Sequence, residues 1–173
     1  DLGSGAMLDT AEFGLEHEST VQETLHDGAD LVCFSGDKLM GGPQSGIIAG
    51  KKKLVQALLN HPLMRVIRLD KLSVIALEAT AKIYLDKKAT EDIPVWRMMG
   101  ASQEGLQTRA KTIKRNLKTS GIVVEIKPGL SMVGGGTLPE QSLPTSLVCI
   151  KPKGSVEAFS RQLRLSDPPL ITR

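Results

Sequence analysis

Aromatic side chains are scarce in this chain of 173 residues: one Trp, one Tyr and three Phe, 3% of the total. A surface that stacks successive bases of single-stranded nucleic acid on aromatic rings is therefore not expected, and any nucleic-acid contact would run through backbone and shape. Cysteine is as sparse, with Cys33 and Cys149 far apart and each inside an apolar run. Reduced core thiols in a cytoplasmic protein are expected, not a disulfide framework. These two thiols and the scattered His17, His26 and His61 offer no metal-ligand spacing, so no metal site is expected. No stretch approaches the roughly 18 uninterrupted apolar residues of a membrane span. The opening acids and glycines are not those of a signal peptide. An excess of one charge is missing too: 22 Lys and Arg against 19 Asp and Glu leave a formal +3, which does not announce a nucleic-acid binder.

What is present is enough apolar residue, 40%, for one or two packed cores, and an uneven placing of charge. Residues 1–37 hold nine Asp and Glu and no Lys or Arg, whereas residues 38–69 hold six Lys and Arg and no acid. A phosphate-bearing ligand or a nucleic-acid backbone would favour the basic half. Lys51-Lys52-Lys53 within it reads as a solvated helix start.

The switch of sign falls on Lys38. Leu31, Val32, Cys33 and Phe34 read as a buried parallel strand, and ligands of open α/β sheets bind where such strands end. A lysine held there against apolar walls loses hydration, which favours the neutral amine that attacks an aldehyde. Pyridoxal phosphate is the commonest such aldehyde. Position alone would make Lys38 a solvated loop residue. Gly36, Gly41, Gly42, Pro43 and Gly46 shift the balance, because they suggest close backbone approach, although a Gly-Pro turn without a ligand explains part of this. Ser35, three residues before Lys38, can reach a cofactor phosphate. Asp1, ahead of Gly3-Ser4-Gly5, can pair with a protonated pyridine nitrogen, unless it is only a frayed end. Between Asp1 and Lys38 there is room for one helix and one strand, as a crossover between parallel strands requires.

Along the chain, Ser19 or Thr20 caps a helix that stops at Gly28, residues 45–50 make a strand, and Lys51 to Asn60 a helix ended by His61-Pro62. From Lys71 to Asp86, the positions Leu72, Ile75, Ala76, Ala79 and Ile83 form an apolar stripe read as the packing face of a helix. Ser102 caps a long helix to Ser120, closed by Gly121. Its lysines are explained by the helix dipole. Strands are expected at 122–127, 130–133 and 146–150, and a helix near 155–163. Gly134-Gly135-Gly136 lacks the Gly-Lys-Ser/Thr ending of a phosphate loop and reads as a bend.

The runs Asp1-Leu2-Gly3-Ser4-Gly5, Phe34-Ser35-Gly36-Asp37-Lys38-Leu39-Met40-Gly41-Gly42-Pro43-Gln44-Ser45-Gly46, His61 to Lys71 and Ala76-Leu77-Glu78-Ala79-Thr80 resemble the bacterial selenocysteine synthases, the L-seryl-tRNA(Sec) selenium transferases. The resemblance is dense over residues 1–86 and thinner after that. It implies an α/β chain: residues 1–86 as the C-terminal part of the large domain of a fold-type I pyridoxal phosphate enzyme, and 87–173 as an incomplete α+β small domain. Lys38 would bind the cofactor covalently, Asp1 would pair with its ring nitrogen, Ser35 would contact its phosphate, and Gly41 and Gly42 would lie in the cofactor loop. Asp37 would assist catalysis, though it could equally cap the turn.

Arg65 and Arg68 would hold the phosphate of the selenium donor, a task suited to a planar, permanently charged donor fork. Their spacing of three would put both on one face of a helix. The implied reaction joins seryl-tRNA(Sec) and selenophosphate by β-elimination and selenium addition, in a cytoplasmic homo-oligomer built as a ring of dimers. The chain is expected to be a fragment without its amino-terminal half, inactive alone. Two other readings stand beside this one: a related pyridoxal phosphate lyase or transferase acting on a phosphorylated amino sugar or amino acid, and a noncatalytic assembly fragment.

Overall fold

Thr20 and Glu23 start the first helix by reciprocal hydrogen bonds: the Glu23 amide donates to Thr20 Oγ1 at 3.2 Å and the Thr20 amide to Glu23 Oε2 at 2.8 Å. This capping box opens α1 (Val21–His26), and Gly28, at φ 104°, turns the chain back after it. The computed structural model describes residues 1–118, 122–134 and 136–172, and it mixes helices with strands.

β1 (Leu31–Ser35) pairs antiparallel with β2 (Gly46–Gly50), in a register that sets Leu31 opposite Gly50 and Ser35 opposite Gly46. Its other edge meets the opening segment in parallel, through a bridge between Gly3 and Phe34. There the Leu2 amide donates to Cys33 O at 2.9 Å and the Ser35 amide to Gly3 O at 3.2 Å. The opening segment thus meets β1 in parallel at a single bridge, with α1 between the two in sequence. Burial along β1 corrects the expectation of a strand covered throughout: Val32 and Phe34 are buried while Cys33 is exposed. With one face covered, the two-residue side-chain period decides which residues go in. Cys33 is therefore not a core thiol, Cys149 is half-buried, and both are free.

The chain continues through α2 (Lys52–Leu59), the single turn α3 (Met64–Ile67), α4 (Lys71–Leu85), α5 (Ala89–Asp92) and α6 (Pro94–Met99). Asp70 caps α4 by accepting from the amides of Leu72 at 2.8 Å and Ser73 at 3.0 Å. The face that α4 packs differs from the expected stripe. Leu72 and Ile75 stay exposed, at 79% and 61%, and the covered residues are Leu77, Thr80, Ile83 and Tyr84. The reason is the glycine loop beneath: a Cβ on Gly42 would stand 3.4 Å from Thr80 Oγ1 and 3.5 Å from Leu77 Cδ2, so the helix rests on that loop through this side.

Two compact units emerge, one of residues Asp1–Ala101 with Met132–Leu143, the other of Ser102–Ser131 with Pro144–Arg173. In the first, α5 and α6 pack with α4, so residues 87–101 lie in the same unit as 1–86. Its core has two clusters, one around Ala6, Leu39, Ile93, Trp96, Met99 and Leu138, the other around Val21, Val32, Phe34 and Met40. Burial of each large apolar side chain in such a core is worth roughly 1.5–3 kcal/mol.

In the second unit, Ser102 Oγ accepts from the Gly105 amide at 3.1 Å at the start of α7 (Gln103–Lys118). The closure at Gly121 lies outside the described residues. β3 (Val123–Met132) and β4 (Ser142–Lys151) pair as a two-stranded sheet, followed by α8 (Val156–Arg164) capped by Ser155. β3 is one strand where two were expected, running through Pro128-Gly129, which a sheet without a covering neighbour tolerates. Among the described residues no helix is long and apolar enough to cross a membrane.

Candidate active site

The turn that carries Lys38 is built almost wholly from backbone hydrogen bonds. The Leu39 amide donates to Ser4 O at 2.9 Å, the Gly41 amide to Lys38 O at 3.0 Å, the Gly42 amide to Gly36 O at 2.7 Å and the Gly36 amide to Ser45 O at 2.9 Å. The glycines make these closures possible. A Cβ on Gly36 would fall 2.8 Å from Pro43 O, and one on Gly41, at φ 72°, would fall 2.3 Å from Ile93 Cγ2. The close approach that their composition suggested is thus internal, loop against loop and loop against Ile93. The amides of Gly41 and Gly42 are taken up within the turn.

The opening segment comes to the same place for a similar reason. Gly5 is at φ 66°, and a Cβ there would lie 2.6 Å from Ser35 O. Gly3, at φ 60°, lies under the lysine: its Cβ position is 3.9 Å from Lys38 Nζ. Asp1 is held at the start of this segment, Oδ1 accepting from the Gly3 amide at 2.9 Å. Lys38, Gly3 and Ser35 are therefore neighbours, with Asp1 two residues from Gly3. Lys38 is half-buried and Asp37, beside it, is exposed. Among the described residues, Lys38 enters no ion pair.

Arg65 and Arg68 stand apart from this turn in sequence, both exposed. Arg65 is inside α3, but that helix ends at Ile67 and Arg68 is extended, with φ −61° and ψ 142°. A shared helical face is therefore not what relates them.

Two residues that sequence reasoning passed over hold the Lys38 turn from behind. Trp96 Nε1 donates to Tyr84 Oη at 2.6 Å, and Tyr84 Oη reaches Met40 O at 2.9 Å and Leu39 O at 3.3 Å. Trp96 is fully buried, and burial pushes the Tyr84 phenol up to about 12, against a smaller opposing effect of the Trp96 hydrogen bond. The available signal was that these are the sole Tyr and the sole Trp of the chain.

A second polar group of the first unit has no link to Lys38. His17 Nδ1 is 2.8 Å from Asp9 Oδ1 and Nε2 is 3.5 Å from Glu23 Oε2, at the edge of an open depression of about 590 Å³ lined also by Ser19, Gln22, His26 and Asp27. The Asp9 hydrogen bond holds His17 above its ordinary value. These walls are solvated side chains, and among the described residues no three such groups are arranged to hold a metal ion.

Comparison with known proteins adds to this geometry. The model of the family described as L-seryl-tRNA selenium transferase matches residues 1–173. The chain is 45% identical to the L-seryl-tRNA(Sec) selenium transferase of Caldanaerobacter subterraneus subsp. tengcongensis, 44% to that of Desulfovibrio desulfuricans and 45% to that of Carboxydothermus hydrogenoformans. Each match covers 100% of this chain and 38% of the relative. The chain thus spans little more than a third of the length of these relatives.

Proposed function

This chain belongs to the L-seryl-tRNA selenium transferase family, and from that premise we propose that the whole protein converts seryl-tRNA(Sec) to selenocysteinyl-tRNA(Sec) with selenophosphate as selenium donor, in the cytoplasm. The observation that carries this reading is the approach of Lys38 Nζ to Gly3 in the segment that Asp1 opens. An amine without an ion pair among the described residues, a carboxylate and the Ser35 hydroxyl suit the groups that pyridoxal 5'-phosphate presents. Lys38 would hold its aldehyde carbon, Asp1 its ring nitrogen and Ser35 its phosphate. Gly41 and Gly42 serve it indirectly, by letting the turn close under Lys38. When bound, the cofactor ring accepts the electron pair left when the seryl α-proton departs.

The remaining work falls to side chains of this chain. Lys38, its amine free at that stage, would take up the α-proton. Asp37, exposed beside it, assists departure of the β-hydroxyl or places the donor. Arg65 and Arg68, exposed cations on the stretch before α4, bind the phosphate of selenophosphate. Residues 1–86 belong, on this reading, to the large domain of a fold-type I enzyme and 87–173 to its small domain, with 87–101 a joint that packs in one unit with 1–86. Exposed apolar residues on α3 and α4, Val66, Ile67, Leu72 and Ile75 among them, support a homo-oligomer, a ring of dimers.

The test is turnover by the full-length protein. With cofactor, seryl-tRNA(Sec) and selenophosphate, the wild type should form selenocysteinyl-tRNA, and Lys38→Ala should lose at least about a thousandfold in rate. Turnover of a phosphorylated amino sugar in place of seryl-tRNA would overturn the substrate assignment, and full activity of Lys38→Ala would overturn the site.

A further inference from the structure

We propose that Tyr84 is a positioning residue for Lys38, its hydroxyl fixing the Leu39–Met40 carbonyls so that the lysine stays aimed across Gly3. The inference rests on the reading of Lys38 as the cofactor-binding lysine. Its basis is geometric. Tyr84 Oη sits between one donor and two acceptors: it accepts from Trp96 Nε1 at 2.6 Å, and its own proton goes to Met40 O at 2.9 Å or Leu39 O at 3.3 Å. Those carbonyls belong to the two residues that follow Lys38. Tyr84 also packs against both core clusters, the one that takes Leu39 and the one that takes Met40.

Other contacts leave a gap that this hydroxyl fills. The turn is closed on its near side by the Leu39 amide on Ser4 O and the Gly41 amide on Lys38 O. Neither bond engages the carbonyls of residues 39 and 40, which Tyr84 of α4 reaches instead. A buried carbonyl without a donor is costly, so the peptides on either side of Met40 would rotate to find one if Tyr84 were cut back to phenylalanine. Lys38 lies one peptide away. A displacement of about 1 Å at a reacting group can cost about a hundredfold in rate.

Two variants of the full-length protein separate positioning from bulk stability. Tyr84→Phe keeps the ring and removes the link to the carbonyls, while Thr20→Ala removes the side-chain cap of α1 and leaves Tyr84 bonded to Met40 O. We expect Tyr84→Phe to lower kcat about tenfold with KM for charged tRNA unchanged, and to shift the pH at which the visible band of the bound cofactor titrates. Thr20→Ala should leave both at wild-type values, even where it lowers Tm as much. If the two variants shift kcat and the titration together in proportion to their Tm, or if Tyr84→Phe titrates like the wild type, the proposal is overturned.

Should Tyr84→Phe not fold, 4-fluorophenylalanine at position 84 fills the hydroxyl's space without a proton to donate. It then reads the same titration, with a shift supporting the proposal and none overturning it. Amide exchange of the cofactor-free protein gives a readout independent of turnover: in Tyr84→Phe, Leu39 and Gly41 should exchange at least about tenfold faster, with the β1 amides unchanged. Failure of the underlying reading looks different, because wild-type protein would then carry no cofactor on Lys38.

Discussion

Leu39 and Met40, adjacent in the chain and directly after Lys38, bury their side chains in different core clusters. Leu39 is 1% exposed and packs with Ile93 and Trp96, while Met40, at 7%, packs with Val21, Val32 and Phe34. A lysine whose next two residues are anchored in opposite directions has little backbone freedom, although its own side chain is only half-buried. That is the arrangement a reactive amine needs: fixed at its root and accessible at its tip.

Gly41 is the hinge of this anchoring. Gly41→Ala places a methyl group 2.3 Å from Ile93 Cγ2 on a backbone at φ 72°. Overpacking of roughly 1–3 kcal/mol and a left-handed backbone cost of roughly 1 kcal/mol predict a loss of about 2–4 kcal/mol. Gly28→Ala, at φ 104° with nothing within 4 Å, keeps only the backbone part. Chemical denaturation of both variants checks the difference.

Tyr84 gives the fold an alkaline limit. Its phenol titrates near 10.0 in the unfolded chain and at about 12 in the fold, because burial disfavours the phenolate. Between those values the unfolded state binds fewer protons, so stability falls as pH rises through them and is fully present below 10. Stability against pH should show a decline of up to one proton over that range, absent in Tyr84→Phe.

How much of this was legible in the sequence depends on how far apart the interacting residues lie. The Thr20–Glu23 cap is three residues long and could be read directly. The parallel approach of the opening segment to β1, seen at Gly3 and Phe34, followed from strand ends and a crossover length. The glycines around Lys38 announced a close approach, but not that Ser45, Pro43 and Ile93 are what they approach. The α4 stripe was misread because a helix with apolar residues on two sides offers two candidate faces, and only the glycine loop beneath selects Leu77 and Thr80. Tyr84 was invisible for a plainer reason: its acceptors are 44 and 45 residues away, and no local pattern encodes them.

His17 provides a check outside the site. Its hydrogen bond to Asp9 raises it above 6.5 and lowers Asp9 below 3.8. The pairing therefore contributes fully between those two values, fades as pH rises through the raised His17 value, and fades again as pH falls through the lowered Asp9 value. Nitrogen-edited NMR of the imidazole should place the His17 midpoint above 6.5 and bring it down in Asp9→Asn.

The two arginines make a separable prediction. Arg65→Ala and Arg68→Ala in the full-length protein should raise KM for selenophosphate about tenfold or more each, consistent with roughly 1.5–3 kcal/mol for a charged hydrogen bond, and leave KM for charged tRNA unchanged. Steady-state kinetics with each substrate varied in turn reads this directly.

The most direct measurement is where the cofactor is attached. Full-length protein incubated with pyridoxal 5'-phosphate, reduced with borohydride and digested should yield one phosphopyridoxyl peptide, modified at Lys38, and Lys38→Ala should yield none there. An adduct confined to another lysine, such as Lys51 or Lys52, or no adduct at all, would contradict the account.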